Sequence, residues 1–214
     1  KEVDDFVKAS LVNRQSALEN LVDQLLASKH YGERWGRHWL DVARFAESHG
    51  FEMNRERPHA WRYRDYVIDS FNADKPYNQF VKEQLTGGAF GAEAATGFIV
   101  AGPHDMVFGK DPVHQATLRQ NDLAEMVNAT GTTFLGLTLG CARCHNHKFD
   151  PVSQNDFYAM TAIFAGVQHA DRIIGGNKNL QRKTKLLEEL TALDKSLAGL
   201  LRPPVTYDRN EEFF

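Results

Sequence analysis

The segment GERWGRHWLDVARFAES, residues 32–48, decides the fold because its apolar side chains recur at helical spacing. The positions that share one face are Trp35, Trp39, Val42 and Ala46. His49 is the next residue on that face, and Gly50 is typical of a residue that ends a helix. The spacing predicts a helix over 32–48 with this stripe turned inward and a charged outer face. The residues of that outer face are Asp41, Arg44 and Glu47.

Helical periodicity extends from this segment through most of the chain, and it predicts a mainly α fold. The other predicted helices are one that ends at about Ser28, one that begins at Pro58, one that begins at Pro76, one over about 114–137 and one over 157–164. The last of these follows a Ser153–Asp156 pattern that is typical of a capping box. Residues 98–101 fit a short helical turn or a strand equally well.

The end of the chain has a different pattern. Leucines spaced four and three apart form a heptad seam with charged flanks, at Leu186, Leu190, Leu193, Leu197 and Leu200. The seam is too short for a free-standing coiled coil, so we expect an antiparallel pairing with a neighbouring segment. We predict a helical domain over 1–170 and a linker with a leucine-rich helical appendage over 171–214, together forming part of a longer protein.

Composition narrows the range of partners. The net charge is −3, which does not favour nucleic acid or an anionic membrane surface. The apolar runs are short, so no transmembrane segment is predicted. The 42% of hydrophobic residues is ordinary for a globular domain.

The only two cysteines stand in the string Cys141-Ala142-Arg143-Cys144-His145, which has the spacing of covalent haem c attachment. Each thiol can add to one haem vinyl group, and the adjacent imidazole can be the proximal iron ligand. Two alternatives remain open. The two thiols with His145 and His147 offer four zinc ligands, and the two cysteines alone can form a redox disulfide. The haem interpretation is favoured because no second pair of ligands stands at zinc-finger spacing.

The second axial iron ligand is less constrained by the sequence. We select His49, because it continues the apolar stripe, His114, because it begins the helix before the motif, and Met126, because it lies on the apolar face of that helix. The other histidines and methionines considered are His30, His38, His59, His104, His147, His169 and Met106. An open sixth position is the alternative, and it favours catalysis over electron transfer.

Four stretches of the chain resemble a family of planctomycete cytochrome-like surface proteins, the domain of unknown function 1549 or planctomycete cytochrome type two. They are YGERWGRHWLDVAR (31–44), AWRYRDYV (60–67), NADKPYNQF (72–80) and FLGLTLGCARCHNHKFDP (134–151). The resemblance implies an exported, haem-bearing protein at the cell surface or in the periplasm, in which Cys141, Cys144 and His145 hold the haem. The family usually has aspartate where this chain has Asn146.

These patterns together predict an irregular helical, cytochrome c-like domain with one covalent haem c and a coiled-coil-like extension. The predicted function is extracytoplasmic electron transfer between a partner redox domain and an acceptor. One alternative is a haem-dependent oxidoreductase or peroxidase with an open distal site, whose substrate is a sugar or polysaccharide. Another is a surface scaffold or carbohydrate-binding protein in which the haem is structural.

Overall fold

The computed structural model describes residues 1–50, 53–107, 109–171 and 176–198, and in these ranges the protein is mainly helical and has no β-strand. The α-helices are α1 (Glu2–Val12), α2 (Arg14–Leu26), α3 (His30–Val42), α4 (Trp61–Asn72), α5 (Tyr77–Thr86), α6 (Pro112–Thr130), α7 (Gln154–Ile163) and α8 (Gly176–Ala198). Short 3₁₀ helices cover Gly87–Phe90, Glu93–Phe98 and Leu139–Arg143, and a π-helix covers Gly131–Leu135. The predicted mainly α fold is confirmed.

The helices enclose a core rich in aromatic side chains. The ring of Trp39 lies 4.8 Å from that of Phe80, and the ring of Phe98 lies 4.8 Å from that of Phe134. The side-chain oxygen of Gln84, which is fully buried, accepts hydrogen bonds from the Trp39 indole at 2.8 Å and the Tyr63 hydroxyl at 2.7 Å. These bonds satisfy polar groups that would otherwise destabilise the interior.

The inward face of α3 differs from the predicted stripe. Trp35 is 49% exposed and Val42 is 47% exposed, whereas Gly32 and Gly36 are buried against α4. Because these glycines have no side chain, the backbones of α3 and α4 lie close together. Helix α4 therefore fills the space in which the predicted stripe would place larger side chains. The inward face is therefore formed by the two glycines together with the larger side chains of Trp39 and Leu40.

The helix predicted over 32–48 ends six residues early, at Val42. Arg44 has a φ of +58°, which is incompatible with an α-helix, and the Phe45 amide donates to the Leu40 carbonyl at 2.9 Å. The turn carries the Arg44 side chain to Glu125 of α6, where the two form an ion pair. The prediction that Arg44 belongs to an exposed charged face is therefore wrong.

The helix predicted over 114–137 corresponds to α6, which begins two residues earlier, at Pro112, and continues as a π-helix. The α-helix ends at Thr130, the π-helix follows, and Gly136 ends it with a φ of +66°.

The capping box of α7 is confirmed, since the Ser153 side chain and the Asp156 side chain each bond the other's backbone amide. Helix α1 was not predicted.

The chain divides into two compact units, 1–170 and 171–214. In the second unit α8 carries the predicted leucines, and those at Leu186, Leu190, Leu193 and Leu197 are each more than half exposed. Leu200 lies outside the described residues. The pairing of this helix with another segment stays a prediction.

Candidate functional site

The segment around the two cysteines is a single helical turn with one buried and one exposed side. The backbone N–H groups of Cys144 and His145 both donate to the Cys141 carbonyl, with N–O distances of 3.3 and 3.4 Å. Leu139 and Ala142 face the core and are buried. The two thiols and the imidazole, at positions i, i+3 and i+4, are all exposed to solvent.

Helices α6 and α7 hold this turn in place. The Arg143 carbonyl accepts hydrogen bonds from the Tyr158 hydroxyl at 3.0 Å and from the Gln154 side chain at 3.2 Å. The Arg143 guanidinium donates to Asn121 of α6 at 2.9 Å. The side-chain oxygen of Asn146 accepts the backbone N–H of Gln154 at 2.9 Å, a bond that an aspartate oxygen can also accept. The exposed turn is thus fixed on both flanks.

The imidazole of His145 is oriented by the backbone carbonyl of the next residue, Asn146. Its Nδ1 lies 2.7 Å from the carbonyl oxygen of Asn146. Because a carbonyl oxygen can only accept, Nδ1 must carry the proton of the neutral ring, which leaves the lone pair on Nε2. A hydrogen bond of this kind commonly fixes the tautomer of a metal-binding histidine. His145 therefore has a nitrogen available for ligation, in a segment whose two cysteines are unpaired and exposed.

His147 does not share this arrangement. It is largely buried, and its Nδ1 accepts the backbone N–H of Asp150 at 2.8 Å. Within the described residues, the potential metal ligands converge at a different place, at His104, Asp122 and His169. The four donors of the zinc alternative do not converge in this part of the chain.

Two of the distal-ligand candidates lie on α6, on different faces. Asn121 lies on the face of α6 that contacts the cysteine motif, through its hydrogen bond from Arg143. At 3.6 residues per turn, His114 lies within about 20° of Asn121, whereas Met126 lies about 140° away. Met126 is buried in the core at 2% exposure, and His114 is exposed.

The third candidate, His49, is half-buried and belongs to a separate group. Its Nδ1 accepts a hydrogen bond from Arg57 Nε at 3.1 Å, and its ring lies 6.0 Å from the ring of His104. Burial lowers the pKa of His49, and the charges of Arg57 and His104 act in the same direction. All three distal assignments stay predictions.

A second polar cluster consists of His104, Asp122 and His169, with His49 beside it. The rings of His104 and His169 are stacked at 3.9 Å, and Nδ1 of His104 lies 3.3 Å from an Asp122 oxygen. Burial lowers the pKa of His169 to about 3, aided by the charges of His104, Arg57 and His49, so its ring is neutral at physiological pH.

Both histidines of this cluster are among the possible iron ligands in the sequence, but no sequence pattern pairs them with Asp122. No local spacing reveals the cluster, because its members come from a loop, from α6 and from the segment after α7. Their proximity depends entirely on the tertiary fold.

The fold and the motif define a class: mainly helical proteins with an exposed Cys-x-x-Cys-His turn anchored between two helices. Residues 1–169 match PSCyt2, described as a protein of unknown function (DUF1549), and the chain belongs to that family. The family resemblance drawn from the sequence is confirmed. No match was found among curated proteins or among solved structures.

Proposed function

We propose that this protein is a c-type haem protein that transfers electrons outside the cytoplasm. The observation that carries the proposal is the exposed turn in which two unpaired thiols adjoin an imidazole whose Nε2 has the free lone pair. The thiols of Cys141 and Cys144 are the atoms that thioether attachment requires, and Nε2 of His145 is the proximal ligand. A bound haem supplies reversible one-electron exchange at its iron.

The surroundings of the turn fit a large apolar group. Leu135 and Phe149, which flank the motif in sequence, are 62% and 84% exposed. The proposal assigns them to contact with the porphyrin.

Electron transfer is favoured over catalysis by the position of the turn. A haem tethered at an exposed turn has an edge close to the protein surface, where a partner redox domain can approach. Among the candidates for the second axial position we favour His114, because it shares a face of α6 with Asn121, which contacts the motif. Met126 faces the core instead.

Export is part of the proposal, because covalent haem attachment normally takes place outside the cytoplasm. The partner is a redox protein or a neighbouring domain of a longer polypeptide. None of the helices in the described ranges is both long and apolar enough to cross a membrane.

The test is expression with export and the cytochrome c maturation system, followed by the pyridine haemochrome spectrum. We expect one covalent haem per chain in the wild-type protein and in His38→Ala, a control at an exposed histidine on α3. The Cys141→Ala/Cys144→Ala variant should retain its helical circular dichroism and carry none. Equal haem content in the double variant and the wild-type protein would contradict the proposal.

The spectrum of the ferric protein separates the two redox functions. Electron transfer predicts a six-coordinate low-spin spectrum that is insensitive to cyanide. His114→Ala should convert it to a high-spin spectrum, whereas Met126→Leu should leave it low-spin. A wild-type spectrum that is already high-spin and shifts with cyanide would replace electron transfer by a catalytic function at the same site.

A further inference from the structure

The cluster of His104, Asp122 and His169 has the composition of a metal site. One potential ligand atom from each residue lies within 4.8 Å of the other two. Two imidazoles and one carboxylate are a donor set that suits zinc and ferrous iron, with coordination positions left for water or substrate. The side chains of His104 and Asp122 are only 13% and 19% exposed.

One of the distances between potential ligands already equals that expected around a bound ion. Donors that bind zinc at about 2.0–2.1 Å in a tetrahedron are about 3.3 Å apart. The His104–Asp122 edge already measures 3.3 Å. Binding also requires one of the two stacked rings, whose planes differ by 13°, to rotate so that its nitrogen points at the ion.

Each element that carries a ligand is anchored by backbone contacts. Arg119 of α6 donates to the carbonyls of Ala165 and Val167, at 2.8 and 2.7 Å, and so fixes the segment that leads to His169. The backbone amide of His104 donates to the His49 carbonyl at 3.3 Å. Asp122 lies within the long helix α6.

Arg44 provides an independent observation beside the cluster. Its Nε and Nη2 are buried and have no hydrogen-bond partner among the described residues. Arg44 lines a cavity of about 10 Å³, together with Asp122 and His169. A cavity of this size holds about one water molecule. Buried donors without an acceptor are costly, and an oxygen atom in this cavity would provide the missing acceptor.

We propose that His104, Asp122 and His169 bind one divalent first-row transition-metal ion, and that Arg44 donates to an oxygen ligand of that ion. The positive charge of Arg44 is balanced by its ion pair with Glu125, so it does not prevent cation binding. The site is separate from the cysteine motif and does not depend on haem attachment.

The test is a titration of residues 1–214 with Co²⁺ after dialysis against a chelator. It is performed in the Cys141→Ser/Cys144→Ser background, so that the thiols cannot bind the probe, and again in the haem-loaded wild-type protein. We expect one equivalent of Co²⁺ in both by titration calorimetry, and a visible Co²⁺ absorption band in the haem-free variant. His104→Ala, Asp122→Ala and His169→Ala should each weaken binding more than about tenfold.

His38→Ala and His59→Ala, at exposed histidines, are the matched controls and should bind as the parent protein does. Where an alanine variant fails to fold, the melting temperature of the parent protein provides the second measurement, because bound Zn²⁺ should raise it. Absence of saturable binding, or unchanged affinity in all three ligand variants, would overturn the proposal. The result of the metal titration does not depend on whether haem is attached. Failure of the metal-site proposal can therefore be distinguished from failure of the haem proposal.

Arg44 is tested with azide, which binds open positions on Co²⁺. Arg44→Gln should retain Co²⁺ while its Co²⁺ form binds azide about tenfold more weakly than the parent form does. Equal azide affinity in the two proteins would show that Arg44 does not contact a ligand of the ion.

Discussion

At the residue scale, the chemistry of this protein depends on which atoms are committed to hydrogen bonds. The Asn146 carbonyl commits Nδ1 of His145 and thereby leaves Nε2 available. At His147 the backbone N–H of Asp150 occupies Nδ1 instead. His145 and His147, which are two residues apart, therefore have different chemistry because their ring nitrogens contact different backbone groups.

The lowered pKa of His169 predicts a pH-dependent stability. A histidine in the unfolded chain has a pKa of about 6.5, so between that value and about pH 3 the unfolded state binds more protons than the folded state does. Stability is therefore complete above about pH 6.5 and declines as the pH falls below it. We expect the melting temperature, measured with a chelator present, to fall between pH 7 and pH 5.

His169→Gln should show a smaller fall across this range, and His38→Gln should behave as the wild-type protein does. Glu83 does not account for a change in this window. Burial alone would raise the pKa of Glu83, but hydrogen bonds from Lys75, Gln79 and Tyr66 lower it. The stability that the ionised Glu83 contributes is therefore lost only at lower pH. An identical fall in His169→Gln and wild type would contradict the assignment.

At the element scale, the crossing of α3 and α4 depends on two glycines. A Cβ at Gly32 would overlap the Ile68 carbonyl oxygen and lie 2.7 Å from the Asn72 side chain, whose oxygen accepts the Gly32 amide at 2.8 Å. A Cβ at Gly36 would lie 3.3 Å from a flexible carbon of Ile68. The two positions therefore differ in how much space they leave.

Gly32→Ala should lower the free energy of unfolding by about 1–3 kcal/mol, because a backbone atom must move. Gly36→Ala is the matched control and should be nearly neutral, since the small contact is offset by the higher helix propensity of alanine, about 1 kcal/mol. Urea denaturation measures both. A Gly32→Ala protein as stable as the Gly36→Ala protein would show that α3 and α4 are less closely packed than described.

The connection from α6 to the cysteine turn also depends on a glycine. A Cβ at Gly131 would lie 2.5 Å from the buried side chain of Leu139 and 3.2 Å from the Leu137 carbonyl oxygen. Gly131→Ala should therefore displace Leu139 and reduce both stability and haem content. Gly136→Asn is the control, because nothing lies within 4 Å of that position and asparagine tolerates its φ of +66°. Equal haem content in the two variants would contradict this role.

The elements show which features were predictable from sequence. The capping box at Ser153 was predicted because its bonds are local, and the start of α5 after Pro76 was predicted for the same reason. The end of α3 was missed because the Arg44 turn is stabilised by Glu125, which is remote in sequence. The cysteine motif was read directly, whereas the His104 cluster has no local pattern and required the tertiary structure.

At the scale of the whole molecule, α6 connects the two candidate sites. Asn121 contacts the turn that carries the cysteines, and the next residue, Asp122, belongs to the proposed metal site. Consecutive residues of a helix point about 100° apart, so the two sites lie along neighbouring faces of one element. Substitutions on one face should leave the other site intact, which makes the two proposals separable.

Covalent haem attachment at Cys141 and Cys144 is tested most directly by intact-mass spectrometry of the exported, matured protein. The predicted result is a mass that exceeds that of the polypeptide by one haem, with the addition located on the peptide that contains both cysteines. A mature protein with the mass of the bare polypeptide would contradict the account.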